Sequence, residues 1–151
     1  MNILELLRKD HHAMKSLFNK FERTGRSSVE KRGELFEQIR KELLVHARAE
    51  QEIFYHMLKA IDETGRKLVI DALGEHKEMD EVSMQIARLR VEDSRFLEKV
   101  ETLMDNVDHH VEEEEGQIFH FVEENCPLEE LEAAGNAMAE RKKALERQLA
   151  A

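Results

Sequence analysis

The chain has 151 residues, of which 41% are hydrophobic and 37% charged, and it carries a formal net charge of -10. This length suits one domain over residues 1–151 with a sizeable core, and a composition with one proline and six glycines is typical of a mostly helical protein. The net negative charge argues against nucleic acid and anionic membrane surfaces as partners, because both would repel the chain.

The sequence also argues against export and membrane insertion. It contains no apolar run near the ~18 residues of a spanning helix, and no charged-then-apolar leader. Its single cysteine, Cys126, has no partner for an internal disulfide, as is usual in a reducing compartment. We therefore expect a soluble cytoplasmic protein.

Hydrophobic periodicity predicts five helices. The first covers about residues 3–23 and stops at the polar stretch 24–28; the second ends near 62–65 and the third at 91–94. The fourth must end before Pro127, which has no amide hydrogen, and a short amphipathic helix follows. Long amphipathic helices with short connections favour an all-α fold, an antiparallel up-and-down four-helix bundle with a short C-terminal fifth helix.

Each of the four long helices carries one histidine on its apolar face: His11, His46, His76 and His110. A lone histidine on such a face usually satisfies a single hydrogen bond in the core. Here Glu50 and Glu114 also fall on inward faces, and an unpaired carboxylate in a core is costly. A metal would provide a common partner for all these groups.

Two stretches of the chain repeat one pattern, HARAEQEIFYH at 46–56 and HVEEEEGQIFH at 110–120. Residues four apart lie ~40° apart around a helix, so each stretch can offer an imidazole and a carboxylate to one point. His11 precedes His46 by 35 residues and His76 precedes His110 by 34, so the chain reads as two copies of one hairpin. Facing copies predict two metal positions that the glutamates can bridge. Imidazole and carboxylate ligation without thiolate suits iron or manganese, with zinc as an alternative.

These segments resemble the hemerythrin-like (HHE cation-binding) family. The resemblance rests on DHHAMKSLF from Asp10, HARAEQEIFY from His46, EHKEMDEV from Glu75 and HVEEEEGQIF from His110, and it extends into the last helix. It implies a non-heme site of two iron ions (Fe2+/Fe3+), bridged by carboxylates and an oxo or hydroxo group. Carried over by position, it implies these metal ligands: His11, His46, Glu50, His76, His110 and Glu114.

Two features depart from the oxygen-carrying hemerythrins. Those proteins have His-x-x-x-His on the third helix, whereas here His76 is followed by Asp80, a candidate additional ligand. They also place the last carboxylate five residues after its histidine, where this chain offers Glu114 at four and Glu115 at five. We prefer Glu114 because it shares the face of His110. The alternative ligands are Glu115, His56 and His120. Tyr55 is expected to pack in the core, with a side chain that reaches toward the site as the alternative.

The resemblance predicts a protein that reacts with or senses dioxygen or peroxide through a carboxylate-bridged di-iron site. Dioxygen, peroxide or nitric oxide would be the small ligand. The alternatives are peroxidase- or catalase-like activity on hydrogen peroxide, and an iron-sensing or interaction module without catalysis. A metal-free structural bundle would leave the inward polar groups unexplained. The sequence is compatible with a monomer or a homodimer.

Overall fold

The computed structural model describes residues 1–150, which form five helices joined by short turns. Helix α1 is Ile3–Glu22, α3 is Glu63–Ala87 and α5 is Leu128–Ala150. The all-α prediction is confirmed, and the C-terminal helix α5 is shorter than α3. Within residues 1–150, no helix combines the length and the apolar character that crossing a bilayer requires.

Helices α2 and α4 share a plan that the sequence did not predict. Helix α2 consists of the α-helical segments Val29–Ala49 and Tyr55–Lys59 on either side of a π-helical turn, Glu50–Phe54. Helix α4 repeats it, with Ser94–Glu113 and Phe119–Asn125 flanking the π-helical turn Glu114–Ile118. Such turns insert one residue into a helix and often occur at functional sites.

Polar side chains fix the start of three helices. Asn2 and Glu5 form a reciprocal capping box at α1, Asp62 accepts a hydrogen bond from the Gly65 amide at α3, and Asp93 accepts one from the Arg95 amide at α4. Each such cap stabilises its helix by about 1 kcal/mol. The caps set where each helix begins.

The apolar core forms two clusters with a polar layer between them. Along α1, Leu7 belongs to the first cluster and Met14 to the second, with His11 between them. Along α3, Ala72 and Met79 flank His76 in the same way. The histidines therefore lie in the middle of the bundle, closed off above and below by apolar side chains.

Helix α5 packs on α1 and α2 and is tied to the polar layer. Gly135 allows a close approach, since a Cβ at this position would lie 2.3 Å from the carbonyl oxygen of Met1. Further along α5, Lys142 forms an ion pair with Asp10, whose carboxylate also contacts His46. The last helix thereby supports a group that touches one of the central histidines.

Candidate metal centre

Four histidines from four helices meet two glutamates in the middle of the bundle. All six side chains are buried, and both glutamates have no exposed surface. Their donor atoms form two sets, in each of which all atoms lie within 4.8 Å of one another. The first set is His11, His46, Glu50 and Glu114, and the second is Glu50, His76, His110 and Glu114.

The two glutamates belong to both sets. Glu50 Oε1 lies 3.6 Å from His46 Nε2 and 3.0 Å from His76 Nε2. Glu114 presents one oxygen to each half: Oε1 lies 3.2 Å from His11 Nε2, and Oε2 lies 3.2 Å from His110 Nε2. Each carboxylate therefore lies between the two pairs of histidines and belongs to both donor sets.

The centre contains buried polar atoms without hydrogen-bond partners. They are His11 Nε2, His46 Nε2, Glu50 Oε2 and Glu114 Oε1. An unpaired buried polar atom costs about 1–3 kcal/mol, and more when it is charged. These atoms are imidazole nitrogens and carboxylate oxygens, which are common ligands of iron, manganese and zinc. The donor set therefore fits a metal.

A second ring of polar groups holds the Nδ1 atoms of the histidines. Asp10 Oδ2 lies 2.9 Å from His46 Nδ1, Glu115 Oε2 lies 2.7 Å from His11 Nδ1, and Glu75 Oε1 lies 2.7 Å from His110 Nδ1. The Gln51 side-chain amide lies 2.9 Å from His76 Nδ1. A carboxylate that accepts a hydrogen bond from Nδ1–H favours the tautomer in which Nε2 carries a free lone pair. That lone pair then faces the centre, as metal ligation requires.

The π-helical turns place an unexpected side chain in the centre. Each turn begins at its glutamate, and in α2 the amide of Tyr55 donates to the carbonyl of Glu50 five residues earlier. The Tyr55 hydroxyl then lies 2.6 Å from Glu114 Oε2 and 3.0 Å from Glu50 Oε1, so its single proton can be donated to either carboxylate. It also lies 3.2 Å from His76 Nε2. Tyr55 is therefore both buried in the core, as the preferred expectation had it, and a polar group of the centre, as the alternative had it.

The charges of the centre shift the pKa values of its groups. Burial alone would lower the pKa of His110, but hydrogen bonds with Glu114, Glu50 and Glu75 raise it to about 12. Burial would raise the pKa of Glu50, but the neighbouring histidines lower it well below its ordinary value. Burial and the two carboxylates raise the pKa of Tyr55 well above 10. In the metal-free protein, the proton that His110 keeps thus helps to balance the carboxylates.

The other candidate ligands lie outside both donor sets. Asp80 is exposed, because Met79 takes the inward position that follows His76 on α3. His56 and His120 are exposed, and His120 pairs with Glu124 at 2.8 Å. Glu115 reaches the centre only through the Nδ1 atom of His11.

The two halves of the centre repeat each other, with two exceptions. The Asp10–His46 contact corresponds to Glu75–His110, because Asp10 and Glu75 each precede a central histidine. When 46–56 is aligned with 110–120, Gln51 takes the place of Glu115 and Tyr55 that of Phe119. Both exceptions contact His76, so the half formed by His76 and His110 differs chemically from the half formed by His11 and His46.

Comparisons with known proteins agree with this geometry. The family model described as Hemerythrin HHE cation binding domain matches residues 2–122. The crystal structure of a hemerythrin HHE cation binding domain-containing protein from Mycobacterium kansasii superposes with a TM-score of 0.87 at 26% identity, covering 98% of this chain and 89% of that one. A protein of Nostoc sp. named DNA nickase is 30% identical over 132 residues, which are 87% of this chain and 36% of that protein. The chain therefore spans about a third of that relative's length.

Proposed function

The chain belongs to the hemerythrin HHE cation-binding family, and on that premise we propose that it holds two iron ions and uses them to react with, or to sense, dioxygen or hydrogen peroxide. The observation that carries the proposal is the pair of buried donor sets that share Glu50 and Glu114. The buried atoms without hydrogen-bond partners support it, because a bound cation would satisfy them. We also propose that residues 1–151 work as one domain.

The proposal assigns a role to each donor. His11 and His46 would hold one ion, His76 and His110 would hold the other, and Glu50 and Glu114 would contribute to both positions. Four protein donors per ion would leave room for a small exogenous ligand. The donors also suit manganese, and zinc is an alternative. Bound iron would supply the electrons that reduce dioxygen or peroxide.

The protein's own groups keep the centre ready for that chemistry. Asp10 and Glu75 hold the Nδ1 protons of His46 and His110, which fixes the orientation of both rings. The Tyr55 hydroxyl holds a proton against the Glu50 and Glu114 carboxylates, within reach of a ligand at the His76 half. The apolar clusters on both sides limit the access of water.

The name of the Nostoc relative adds no second function. The matched region is only 36% of that protein, so its nicking activity can belong to the remainder. A net charge of -10 also opposes the binding of a polyanion such as DNA.

The test compares iron-loaded wild type with Tyr55→Phe, a change for which Phe119 is the natural precedent in the other half. We expect both proteins to hold the same iron content. In a single turnover with the ferrous iron pair as the reductant, the wild type should react with peroxide or dioxygen at least about tenfold faster, since the variant lacks the buried proton donor. Metal-free protein is the control. If wild type changes its absorption reversibly without consuming either molecule, the sensing alternative is favoured. If iron-loaded wild type neither changes its spectrum nor consumes them, the oxygen chemistry is refuted.

A further inference from the structure

Two grooves lead from the surface to the centre, one to each half. The first lies between α2 and α3, has a volume of about 400 Å³ and is lined in part by His76 and Gln51. The second lies between α1 and α4, has a volume of about 300 Å³ and is lined in part by His11. They occupy equivalent positions in the two repeats, so their lining residues can be compared position by position.

The grooves carry opposite charges. The α2–α3 groove is lined by Arg40, Arg48 and Lys77 with a single carboxylate, Asp80. The α1–α4 groove has one cation, Lys15, and two carboxylates, Asp108 and Glu112. When 46–56 is aligned with 110–120, Arg48 stands where the other repeat has Glu112. A cationic groove stands out on a chain with a net charge of -10, since most of its surface repels anions.

The inner ends of the grooves also differ. Gln51 gives the α2–α3 groove a neutral amide beside His76, where the equivalent Glu115 places a carboxylate beside His11. The small side chain Ser83 lines the α2–α3 groove, and the aromatic ring of Phe18 lines the other. The first groove is thus larger, and its histidine has a neutral amide at Nδ1 where the other has a carboxylate.

From this contrast we infer that the α2–α3 groove is the binding and access site for small anions, which it guides to the metal position of His76 and His110. The inference rests on the proposed two-metal function. Cations along a concave surface raise the local concentration of an anion and its association rate by about 10- to 1000-fold. Neutral ligands such as nitric oxide gain nothing from these charges.

The experiment measures the association rate of azide with the ferric, iron-loaded protein by stopped-flow absorbance, with nitric oxide as the neutral ligand. We expect Arg48→Glu to slow azide about tenfold at low ionic strength, with the difference disappearing at high salt. The rate for nitric oxide should not change. The matched control is Glu112→Arg in the other groove. It changes the net charge by the same magnitude in the opposite direction, yet it should alter the azide rate less than about twofold.

A second variant tests the route itself. Ser83→Phe places in this groove the kind of side chain that Phe18 provides in the other, and it should slow both azide and nitric oxide. If this variant does not fold, the exposed Arg48 still provides the test. Equal and opposite effects of Arg48→Glu and Glu112→Arg would overturn the inference, since they would reflect net charge alone.

Iron content separates this inference from the function on which it rests. If the Arg48→Glu protein is fully loaded with iron and its azide association rate is unchanged, the inference is overturned while the proposed function stands. A wild-type chain that takes up no iron would overturn the proposed function and the inference with it.

Discussion

Replacing Glu50 with alanine should weaken both metal positions at once, because its carboxylate belongs to both donor sets. Its Oε1 atom lies within 3.6 Å of His46 Nε2 and 3.0 Å of His76 Nε2. Binding a structural metal through four protein ligands contributes about 10–16 kcal/mol, so one ligand accounts for about 3 kcal/mol. That corresponds to about a hundredfold loss of affinity at each position.

Two other substitutions serve as controls for Glu50→Ala. His46→Ala removes a ligand from one donor set only, so the second ion should keep most of its affinity. His12→Ala removes an exposed side chain beside the centre and should leave both ions in place. Dialysis of each protein against a competing chelator, with metal counted by mass spectrometry, measures the two affinities. Circular dichroism shows whether each variant remains helical.

The outcome that would refute this reasoning is specific. A folded Glu50→Ala protein that keeps one ion at wild-type affinity would show that Glu50 serves a single position. Loss of iron from His12→Ala would show that the wrong face of α1 had been assigned to the centre.

Substitution of Asp10 by asparagine should lower the affinity of the His46 position by about 10- to 100-fold, because the Nδ1 acceptor loses its negative charge, and a zinc titration that shifts less than twofold would contradict this. In the metal-free protein, the free energy of unfolding should fall as the pH rises above 6.5. The pKa of His110 is raised from 6.5 to about 12 by folding, so between these values the folded chain binds more protons than the unfolded chain. Urea titrations at pH 7 and 9 measure this fall, and metal-loaded protein should lack it. Gly135→Ala should lower the free energy of unfolding by about 1–3 kcal/mol, because the new Cβ would lie 2.3 Å from the Met1 carbonyl oxygen. Gly74→Ala, which meets nothing within 4 Å, should raise it by about 0.5–1 kcal/mol in the same thermal or urea melts, and a loss at both positions would contradict the steric explanation.

The sequence predicted the fold because local sequence patterns determine where the helices form and where they end. Apolar periodicity, the polar stretch at 24–28 and Pro127 give the five helices without reference to tertiary structure. The four histidines could be singled out because each interrupts an apolar face, and the spacing of His46 to Glu50 and His110 to Glu114 keeps each glutamate on the same face.

The π-helical turns explain what the sequence did not reveal. On a regular α-helix, Tyr55 would lie about 140° around the axis from Glu50, so helical periodicity alone does not place its hydroxyl at the carboxylates. The inserted residue rotates Tyr55 toward the carboxylates. A local signal did exist, because the repeats put an aromatic residue, Tyr55 or Phe119, at the same distance after the glutamate.

Sequence periodicity could not predict which side chains of different helices contact one another. The Nδ1 partners of the histidines come from other helices, as Asp10 of α1 does for His46 of α2. The structure buries Met79 on α3 and leaves Asp80, the next residue, exposed at the surface. Such contacts depend on how the helices pack against one another, and the sequence of a single helix does not determine them.

The central claim is tested most directly by loading the protein with ferrous iron without oxygen, counting the metal by mass spectrometry and then admitting oxygen while recording the absorption spectrum. We predict two irons per chain and new near-ultraviolet charge-transfer absorption after oxygen is admitted. A folded chain that retains little or no iron after anaerobic loading would contradict the two-metal centre.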